Sequence, residues 1–193
     1  MSLILASNSQ IRRLMLEQAG IDFRIRSPEF DEDSAKVDHH GEGQALALRL
    51  AEGKATSIAA GDSDWVIGSD SSVTVEGIRY SKPRGRAEAA DHLRAFSGRT
   101  MQLSSAVAMA NRGRVDWSHA ETARLEVREL SEAFIRSYLD LEWPEVGHCV
   151  GVFRMEGRGV TLFDQVEGSY FTILGMPLLP LLGALRTRGL IAA

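Results

Sequence analysis

Residues able to bind an anion lie near the beginning of the chain, where Ser7 and Ser9 precede Arg12 and Arg13. Ser7 is followed three residues later by Gln10, a capping-box spacing that predicts the start of a helix. A helix start presents unpaired backbone N–H groups and a positive dipole end, and arginine side chains match the shape of phosphate oxygens. The pattern is typical of a phosphate site, although an ordinary capped helix with two solvated arginines explains it equally well.

Asp70 is the carboxylate best placed for chemistry, because it follows the apolar stretch Trp65–Gly68, which predicts a buried strand. Open α/β sheets bind their ligands at the carboxyl ends of the strands. A carboxylate in that position can hold a metal ion or accept a proton from an attacking water molecule. The alternative interpretation is that Asp70 only caps a turn.

Other polar residues carry weaker signals when each is taken alone. Lys54 and Lys82 are isolated lysines, which are usually solvated surface groups. His39 and His40 are adjacent rather than spaced for joint metal ligation. Cys149 is the single cysteine, and its type is more often a small buried core residue than a nucleophile. Neither a Walker-type loop nor a dinucleotide fingerprint is present, so any phosphate is bound by another device.

The composition limits the class of protein. The chain has 193 residues, 44% of them hydrophobic, which predicts one domain over residues 1–193, with two lobes around a central cleft. A formal net charge of −4 argues against sequence-independent binding of nucleic acid. The longest apolar stretch, near Met176, is broken by prolines, and no signal peptide precedes the first strand. We expect a cytoplasmic protein with no nucleic-acid or membrane partner.

The elements that must position these residues follow from the apolar periodicity, which alternates between strand and helix spacing. This alternation predicts an α/β fold with a mixed β-sheet flanked by helices. The expected elements include a strand at Leu3–Ala6, an irregular acidic segment at 31–43, a helix at about 42–60, hairpins at Glu76-Gly77 and at 111–113, a helix capped by Ser131, a strand at 146–153 and a last helix opened by Pro177.

Several short segments resemble, in order along the chain, the signatures of the Maf family of nucleotide pyrophosphatases. They are Leu5–Arg13, Asp31-Glu32, Leu50–Ala55, Gly68–Asp70, Ser81–Pro83, Ser97–Arg99, Glu156–Gly159 through Glu167-Gly168, and Leu174–Leu178. Each segment is short, but their order and spacing extend over nearly the whole chain, which makes the resemblance specific. It implies the family's twisted mixed sheet with two lobes and leaves a homodimer open.

The resemblance implies an enzyme that cuts nucleoside triphosphates between the α- and β-phosphates with a divalent cation, Mg²⁺ or Mn²⁺. Such cations prefer carboxylate and phosphate oxygens, and fixed positive charge neutralises the charge that develops during in-line attack on phosphorus. By this resemblance Asp70 is the general base, and Glu32 and Asp70 hold the metal. The residues expected to bind the triphosphate are Ser7, Ser9, Arg12, Arg13, Lys54 and Lys82.

Three positions resemble those that distinguish substrates within the family: Ile11, Ser71 and Glu156. Ile11 and Ser71 match neither the Trp and Gln of the 7-methyl-GTP subgroup nor the Arg and Thr of the dTTP and UTP subgroup. Glu156 matches the 7-methyl-GTP subgroup, and a carboxylate can accept hydrogen bonds from guanine. The resemblance therefore favours 7-methyl-GTP. Gln10 and Ser81 also depart from the family pattern, which has proline and glycine there.

Four alternatives remain open from the sequence. The chain could be a dTTP and UTP pyrophosphatase of the same family, or a phosphatase that releases only the terminal phosphate. It could also be a non-catalytic regulator that binds nucleotides, or a structural α/β protein without a ligand. Identification of the released product separates the two kinds of hydrolase, and a triphosphate-dependent rise in melting temperature separates a binding protein from a structural one.

Overall fold

The computed structural model describes residues 2–37 and 41–192, and His39 and His40 lie outside these ranges. The strands in the described part are β1 (Leu3–Ala6), β2 (Arg24–Arg26), β3 (Trp65–Val75), β4 (Ile78–Tyr80), β5 (Thr100–Asn111), β6 (Arg114–Val127) and β7 (Phe163–Glu167). The helices are α1 (Gln10–Gln18), α2 (Glu32–Val37), α3 (Gly43–Thr56), α4 (Arg86–Phe96), α5 (Glu132–Glu142), α6 (Tyr170–Leu174) and α7 (Leu178–Thr187). Each described helix is too short or too polar to cross a bilayer.

The strands form one mixed sheet in the order β2-β1-β3-β5-β6-β7, and β4 pairs with β3. β1 is parallel to both of its neighbours, β2 and β3. β3 with β4 and β6 with β7 are antiparallel pairs, and the first of these is the hairpin predicted at Glu76-Gly77. The predicted mixed α/β fold is therefore confirmed.

The chain divides into two compact units. Unit 1 comprises Met1–Ser71, Ser104–Glu121 and Tyr170–Ala193, and unit 2 comprises Ser72–Leu103 and Thr122–Ser169. The division falls within three long strands, β3, β5 and β6. The single domain and the central cleft expected from the sequence stay predictions.

Small residues bring α3 of unit 1 unusually close to the sheet. Gly68 of β3 faces the backbone of α3, where a Cβ atom would lie 2.2 Å from the Ala51 carbonyl oxygen and 2.5 Å from the Ala55 nitrogen. The surrounding cluster consists of alanines that repeat every four residues on α3 and every two on β5: Ala47, Ala51, Ala55, Ala106, Ala108 and Ala110. Any larger side chain here would move α3 away from β3.

Unit 2 packs α4 against α5. The Ser131 hydroxyl accepts a hydrogen bond of 3.2 Å from the Phe134 N–H, so the predicted cap of α5 is confirmed. The buried face of this helix carries Ile135 and Leu139, and also the polar residues Tyr138 and Glu142. A buried tyrosine and a buried glutamate one turn apart need partners inside the protein.

The start of α1 differs from the prediction. The helix begins at Gln10, with Ser9 at the N-cap, and no side chain caps it. The Ser7 hydroxyl instead accepts a hydrogen bond of 3.2 Å from the Ser9 N–H, within the turn that precedes the helix. The predicted capping box is wrong because the Ser7 oxygen accepts its hydrogen bond within the turn that precedes the helix and not within the helix.

The acidic segment before α3 was expected to be irregular, but it contains α2. Asp31 starts this helix by accepting hydrogen bonds of 3.1 Å from the Ser34 N–H and 2.7 Å from the Ser34 hydroxyl. The prediction is wrong because an aspartate three residues before a serine can cap a helix as readily as it can lie in a solvent-exposed loop. α3 also ends at Thr56, four residues before the predicted end at Ala60.

Two strand predictions are corrected as well. β3 continues through Asp70 to Val75, so this carboxylate lies inside a long strand and not at its end. The strand predicted at 146–153 is absent, because Glu145–His148 forms a 3₁₀ helix and the following residues form turns. Val146, Val152 and Phe153 are buried in this segment. A buried turn can have the same run of apolar residues as a buried strand, so the sequence pattern does not separate the two.

We expect Gly68→Ala to destabilise the protein, because the new methyl group would overlap backbone atoms of α3. The cost of such overpacking is about 1–3 kcal/mol, and it should appear as a lower melting temperature in differential scanning calorimetry. Gly183→Ala is the matched control, since a Cβ atom there meets no other atom within 4 Å and lies in a helix. Equal melting temperatures for the two variants would contradict the close packing of α3 on β3.

Candidate active site

The centre of unit 1 contains one ammonium group between two carboxylates. The Lys54 Nζ atom lies 2.5 Å from Asp70 Oδ2 and 2.9 Å from Glu32 Oε1. Lys54 and Asp70 are only 7% and 8% exposed. The three side chains come from three different elements, α3, β3 and α2, and the close packing at Gly68 allows α3 to bring Lys54 within reach of β3.

The surroundings of Asp70 keep this carboxyl group ionised. Burial alone would raise its pKa, and this is the largest single influence. The charges of Lys54 and Arg12 act in the opposite direction, and hydrogen bonds from Lys54 and from the Ser71 N–H, at 2.6 Å from Oδ1, add to them. The balance lowers the pKa of Asp70, so the group is a carboxylate at neutral pH.

Arg12 of α1 binds the residues on both sides of Asp70. Its Nη1 atom donates to the Ser69 carbonyl oxygen at 3.0 Å, and its Nη2 atom donates to the Ser71 hydroxyl, also at 3.0 Å. Its Nε atom donates to the Gly175 carbonyl oxygen at 2.9 Å. Burial lowers the pKa of Arg12, and the charges of Asp70 and Glu32 oppose this. The guanidinium therefore acts as a structural link as well as a source of positive charge.

A chain of hydroxyl groups supports this link, and sequence reasoning did not find it. The Ser71 hydroxyl lies 2.8 Å from the Ser105 hydroxyl, which donates to the Thr172 carbonyl oxygen at 2.7 Å. The Thr172 hydroxyl in turn donates to Glu121. Ser105 and Thr172 are fully buried, and serine or threonine in a strand or helix gives no signal of such a role.

The remaining predicted residues in α1 and in the turn before it have separate environments. Ser7 is 4% exposed, and Ser9 leaves its hydroxyl unused by the helix cap. Arg13 forms an exposed ion pair of 2.7 Å with Glu17, one turn along the helix. Ile11 is half-buried. The structure thus places Ser7, Ser9 and Arg12 on one short segment, and Arg13 is engaged by its own helix.

Unit 2 brings its two predicted residues near one thiol. Lys82 and Glu156 are both exposed, and both lie close enough to Cys149 to act on it electrostatically. Burial raises the pKa of Cys149 to about 11, with Glu156 adding to the rise and Lys82 and Arg154 opposing it. The thiol is therefore protonated at neutral pH, which agrees with a packing role for this cysteine and not with a nucleophile.

The carboxylates of Glu32 and Asp70 supply only part of the ligand shell that a hard cation needs. Among residues 2–37 and 41–192, no group of three or more His, Cys, Asp or Glu side chains is arranged to hold a metal ion. Glu32 and Asp70 are two oxygen donors that converge on one point, where Lys54 Nζ lies. Mg²⁺ and Mn²⁺ commonly take one or two protein carboxylates and complete their shell with water and phosphate oxygens. These two donors fit a cation that takes the rest of its shell from water or from a ligand, and a cation held by both would displace Lys54 from the point between them.

Comparison with known proteins decides the family. The family described as Maf-like protein matches residues 2–188. The chain belongs to the Maf-like family. This confirms the resemblance drawn from the short segments of the sequence.

Curated relatives within the Maf-like family extend over the full chain. A 7-methyl-GTP pyrophosphatase of Rhizobium meliloti is 43% identical over 195 residues, covering 99% of this chain and 98% of its own. A nucleoside triphosphate pyrophosphatase of Gluconobacter oxydans is 39% identical over 197 residues, covering 100% of this chain and 97% of its own. Of the solved structures, the Staphylococcus aureus Ham1 protein matches 66% of this chain and 72% of its own at 19% identity, with a TM-score of 0.42.

We expect Lys54→Met to raise the pKa of Asp70, because burial then outweighs the remaining charge of Arg12. The carboxyl titration is measurable by ¹³C NMR. Lys36→Met is the control, since it removes the same charge from a lysine that pairs with Glu32 on α2. An unchanged Asp70 titration in Lys54→Met would contradict the electrostatic account.

The same substitution should reverse the pH dependence of stability. In the wild type the lowered pKa of Asp70 means that its ionised form stabilises the fold above the ordinary carboxyl range. That contribution is lost as the pH falls through the folded pKa. In Lys54→Met the pKa of Asp70 is raised in the folded state. The free energy of unfolding should therefore decrease as the pH rises from the ordinary carboxyl pKa to the raised one.

Proposed function

We propose that this chain hydrolyses nucleoside triphosphates to nucleoside monophosphates and pyrophosphate. The observation that carries the proposal is the buried carboxylate of Asp70, with a lowered pKa, beside Lys54 and Arg12. Membership of the Maf-like family and the names of the full-length relatives support the same reaction.

Asp70 is the general base in this proposal. A carboxylate that is ionised at neutral pH can accept a proton from a water molecule as that water attacks phosphorus. Its Oδ1 atom is oriented by the Ser71 N–H and its Oδ2 atom by Lys54, so the direction of the carboxylate is fixed before substrate arrives. Such preorganisation lowers the reorganisation needed during the reaction.

Positive charge around Asp70 suits a polyphosphate. Lys54 is shared between two carboxylates, and binding of a phosphate group would let it exchange one of these partners for a phosphate oxygen. Each of the three Arg12 nitrogen atoms donates a hydrogen bond to a protein acceptor, so we propose that this guanidinium contributes charge and orientation at the phosphate site. Ser7, Ser9 and the uncapped N–H groups of α1 add neutral donors. Lys82 is proposed as a triphosphate ligand on the family resemblance alone.

Glu32 and Asp70 are the residues that would hold a divalent cation. When bound, Mg²⁺ or Mn²⁺ would neutralise phosphate charge and polarise the phosphorus–oxygen bonds. The chain itself contributes the two carboxylates, and Lys54 keeps them from repelling each other while no cation is bound. A cytoplasmic location, where nucleoside triphosphates are abundant, stays a prediction.

Base preference is proposed to depend on Glu156. This exposed carboxylate lies in unit 2, close enough to Arg154 to act on it electrostatically, and can accept hydrogen bonds from guanine and attract a cationic methylated base. One full-length relative is named for 7-methyl-GTP. Ile11 and Ser71 are the other proposed specificity positions, and in the structure Ser71 is occupied by its bonds to Arg12 and Ser105.

The direct experiment is a panel of ordinary and modified nucleoside triphosphates, each incubated with Mg²⁺ or Mn²⁺ and assayed for pyrophosphate and for orthophosphate. Pyrophosphate as the product supports the proposal, and orthophosphate alone would favour a terminal phosphatase. Preferred turnover of dTTP and UTP would move the chain to the other subgroup, and nucleotide binding without any turnover would favour a regulator.

Asp70→Asn should reduce kcat by at least about a hundredfold, which is the usual contribution of a general base, and should leave nucleotide binding largely intact. Turnover is measured by pyrophosphate release and binding by isothermal titration calorimetry. Asp22→Asn, at an exposed position of the same unit, is the matched control and should keep wild-type turnover. Normal turnover in Asp70→Asn would refute its catalytic assignment.

Glu156→Gln should lower the preference for 7-methyl-GTP over GTP by about tenfold, because a neutral amide loses one charge-assisted contact of about 1.5 kcal/mol with the methylated base. The ratio of kcat/KM for the two substrates measures this effect. Glu132→Gln, which removes an exposed carboxylate from α5, should leave the ratio unchanged. An equal ratio in wild type and Glu156→Gln would assign base selection to other residues.

A further inference from the structure

The segment that carries Glu156 is attached to α5 by two buried polar side chains. We define residues 152–159 as the Glu156 loop. The Tyr138 hydroxyl donates to the Val152 carbonyl oxygen at 3.0 Å, and Glu142 Oε2 accepts from Arg154 Nη2 at 2.9 Å. Tyr138 and Glu142 are 3% and 5% exposed and lie one turn apart on the same face of the helix.

Glu142 contacts both flanks of the loop. Besides its hydrogen bond to Arg154, its Oε1 atom lies 3.7 Å from Arg158 Nε. These arginines stand two residues before and two residues after Glu156, so one buried carboxylate holds both sides of the residue proposed to select the base. The Arg154 Nε atom is buried without a hydrogen-bond partner, and the Nη2 atom of the same guanidinium donates to Glu142. A carboxylate buried to this degree is costly unless it is paired.

The loop has little conformational freedom between these attachments. Val152 has a φ of 55°, a left-handed conformation that β-branched residues rarely adopt. A Cβ atom on Gly159 would lie 2.5 Å from the Arg154 carbonyl oxygen and 2.6 Å from its nitrogen, so the loop folds tightly back on Arg154. The Gly157 N–H also donates to that carbonyl at 3.1 Å. The backbone of Glu156 therefore follows the position of Arg154.

We propose that Glu142 and Tyr138 are positioning residues, which fix the Glu156 loop against α5 and thereby set the preference among nucleotide bases. The inference rests on the proposed function, because it assigns to these residues the selectivity that Glu156 would express. Glu142 acts through Arg154, and Tyr138 acts through the strained Val152. A merely structural role would change stability and not the preference between substrates.

The test compares Glu142→Gln, Glu156→Gln and the double variant in the same full-length protein. Glu142→Gln should lower the kcat/KM ratio of 7-methyl-GTP to GTP by about tenfold, through KM for 7-methyl-GTP and with kcat changed less than about twofold. The double variant should be no less selective than Glu156→Gln alone, because residues that act through one group are not additive. Glu132→Gln, on the same helix, is the control and keeps the wild-type ratio.

A second readout does not depend on turnover. Hydrogen exchange of the amides in residues 154–160 should become about tenfold faster in Glu142→Gln, and exchange in β1 and β3 should stay unchanged. If Glu142→Gln does not fold, Tyr138→Phe replaces it, since it keeps the ring and removes only the hydroxyl that holds Val152. The same loss of selectivity and faster exchange are expected.

The outcomes separate the two proposals. A wild-type protein that hydrolyses no triphosphate overturns the proposed function and this inference with it. An active wild type whose selectivity is unchanged by Glu142→Gln and Tyr138→Phe overturns the inference alone. Additive losses of selectivity in the double variant also overturn it, because Glu142 would then act independently of Glu156.

Discussion

The ion pairs of Lys54 are the interaction on which the rest of unit 1 depends. One buried ammonium lies between Asp70 and Glu32, and burial of Lys54 or Asp70 without a partner would be strongly unfavourable. The arrangement is possible only because the backbone of α3 approaches β3 at Gly68, within a patch of alanines. The small alanines of α3 and the charge of Lys54 near its end are therefore needed together. The same constraint keeps Asp70 ionised, as the proposed general base requires.

Arg12 links elements of unit 1 as well as carrying positive charge. Its Nε, Nη1 and Nη2 atoms each donate one hydrogen bond, and these bonds join α1 to β3 and to the turn at Gly175. A contact between Arg12 and phosphate stays a prediction. Its charge still lowers the pKa of Asp70. The division that we propose is that Lys54 and Asp70 serve the reaction, that Arg12 holds them in place, and that Glu156 and its loop in unit 2 select the base.

Much of the fold could be predicted from the sequence, because apolar periodicity and turn residues are local signals. β1, the hairpin at Glu76-Gly77 and the cap of α5 follow from neighbouring residues alone, and each is confirmed. The predicted strand at 146–153 is wrong because burial, not sheet pairing, made that segment apolar. In the site, Asp70 and Lys54 could be singled out by resemblance. The partners Ser105, Thr172 and Glu142 could not, because hydrogen bonds between distant segments leave no pattern in a single sequence.

We propose that water activated by Asp70 attacks the α-phosphorus of a nucleoside triphosphate. Hydrolysis in water enriched with ¹⁸O, followed by mass spectrometry of both products, tests it most directly. The label should enter the nucleoside monophosphate, and the pyrophosphate should stay unlabelled. Label in the pyrophosphate, or in released orthophosphate, would place the attack on another phosphorus atom and contradict the account.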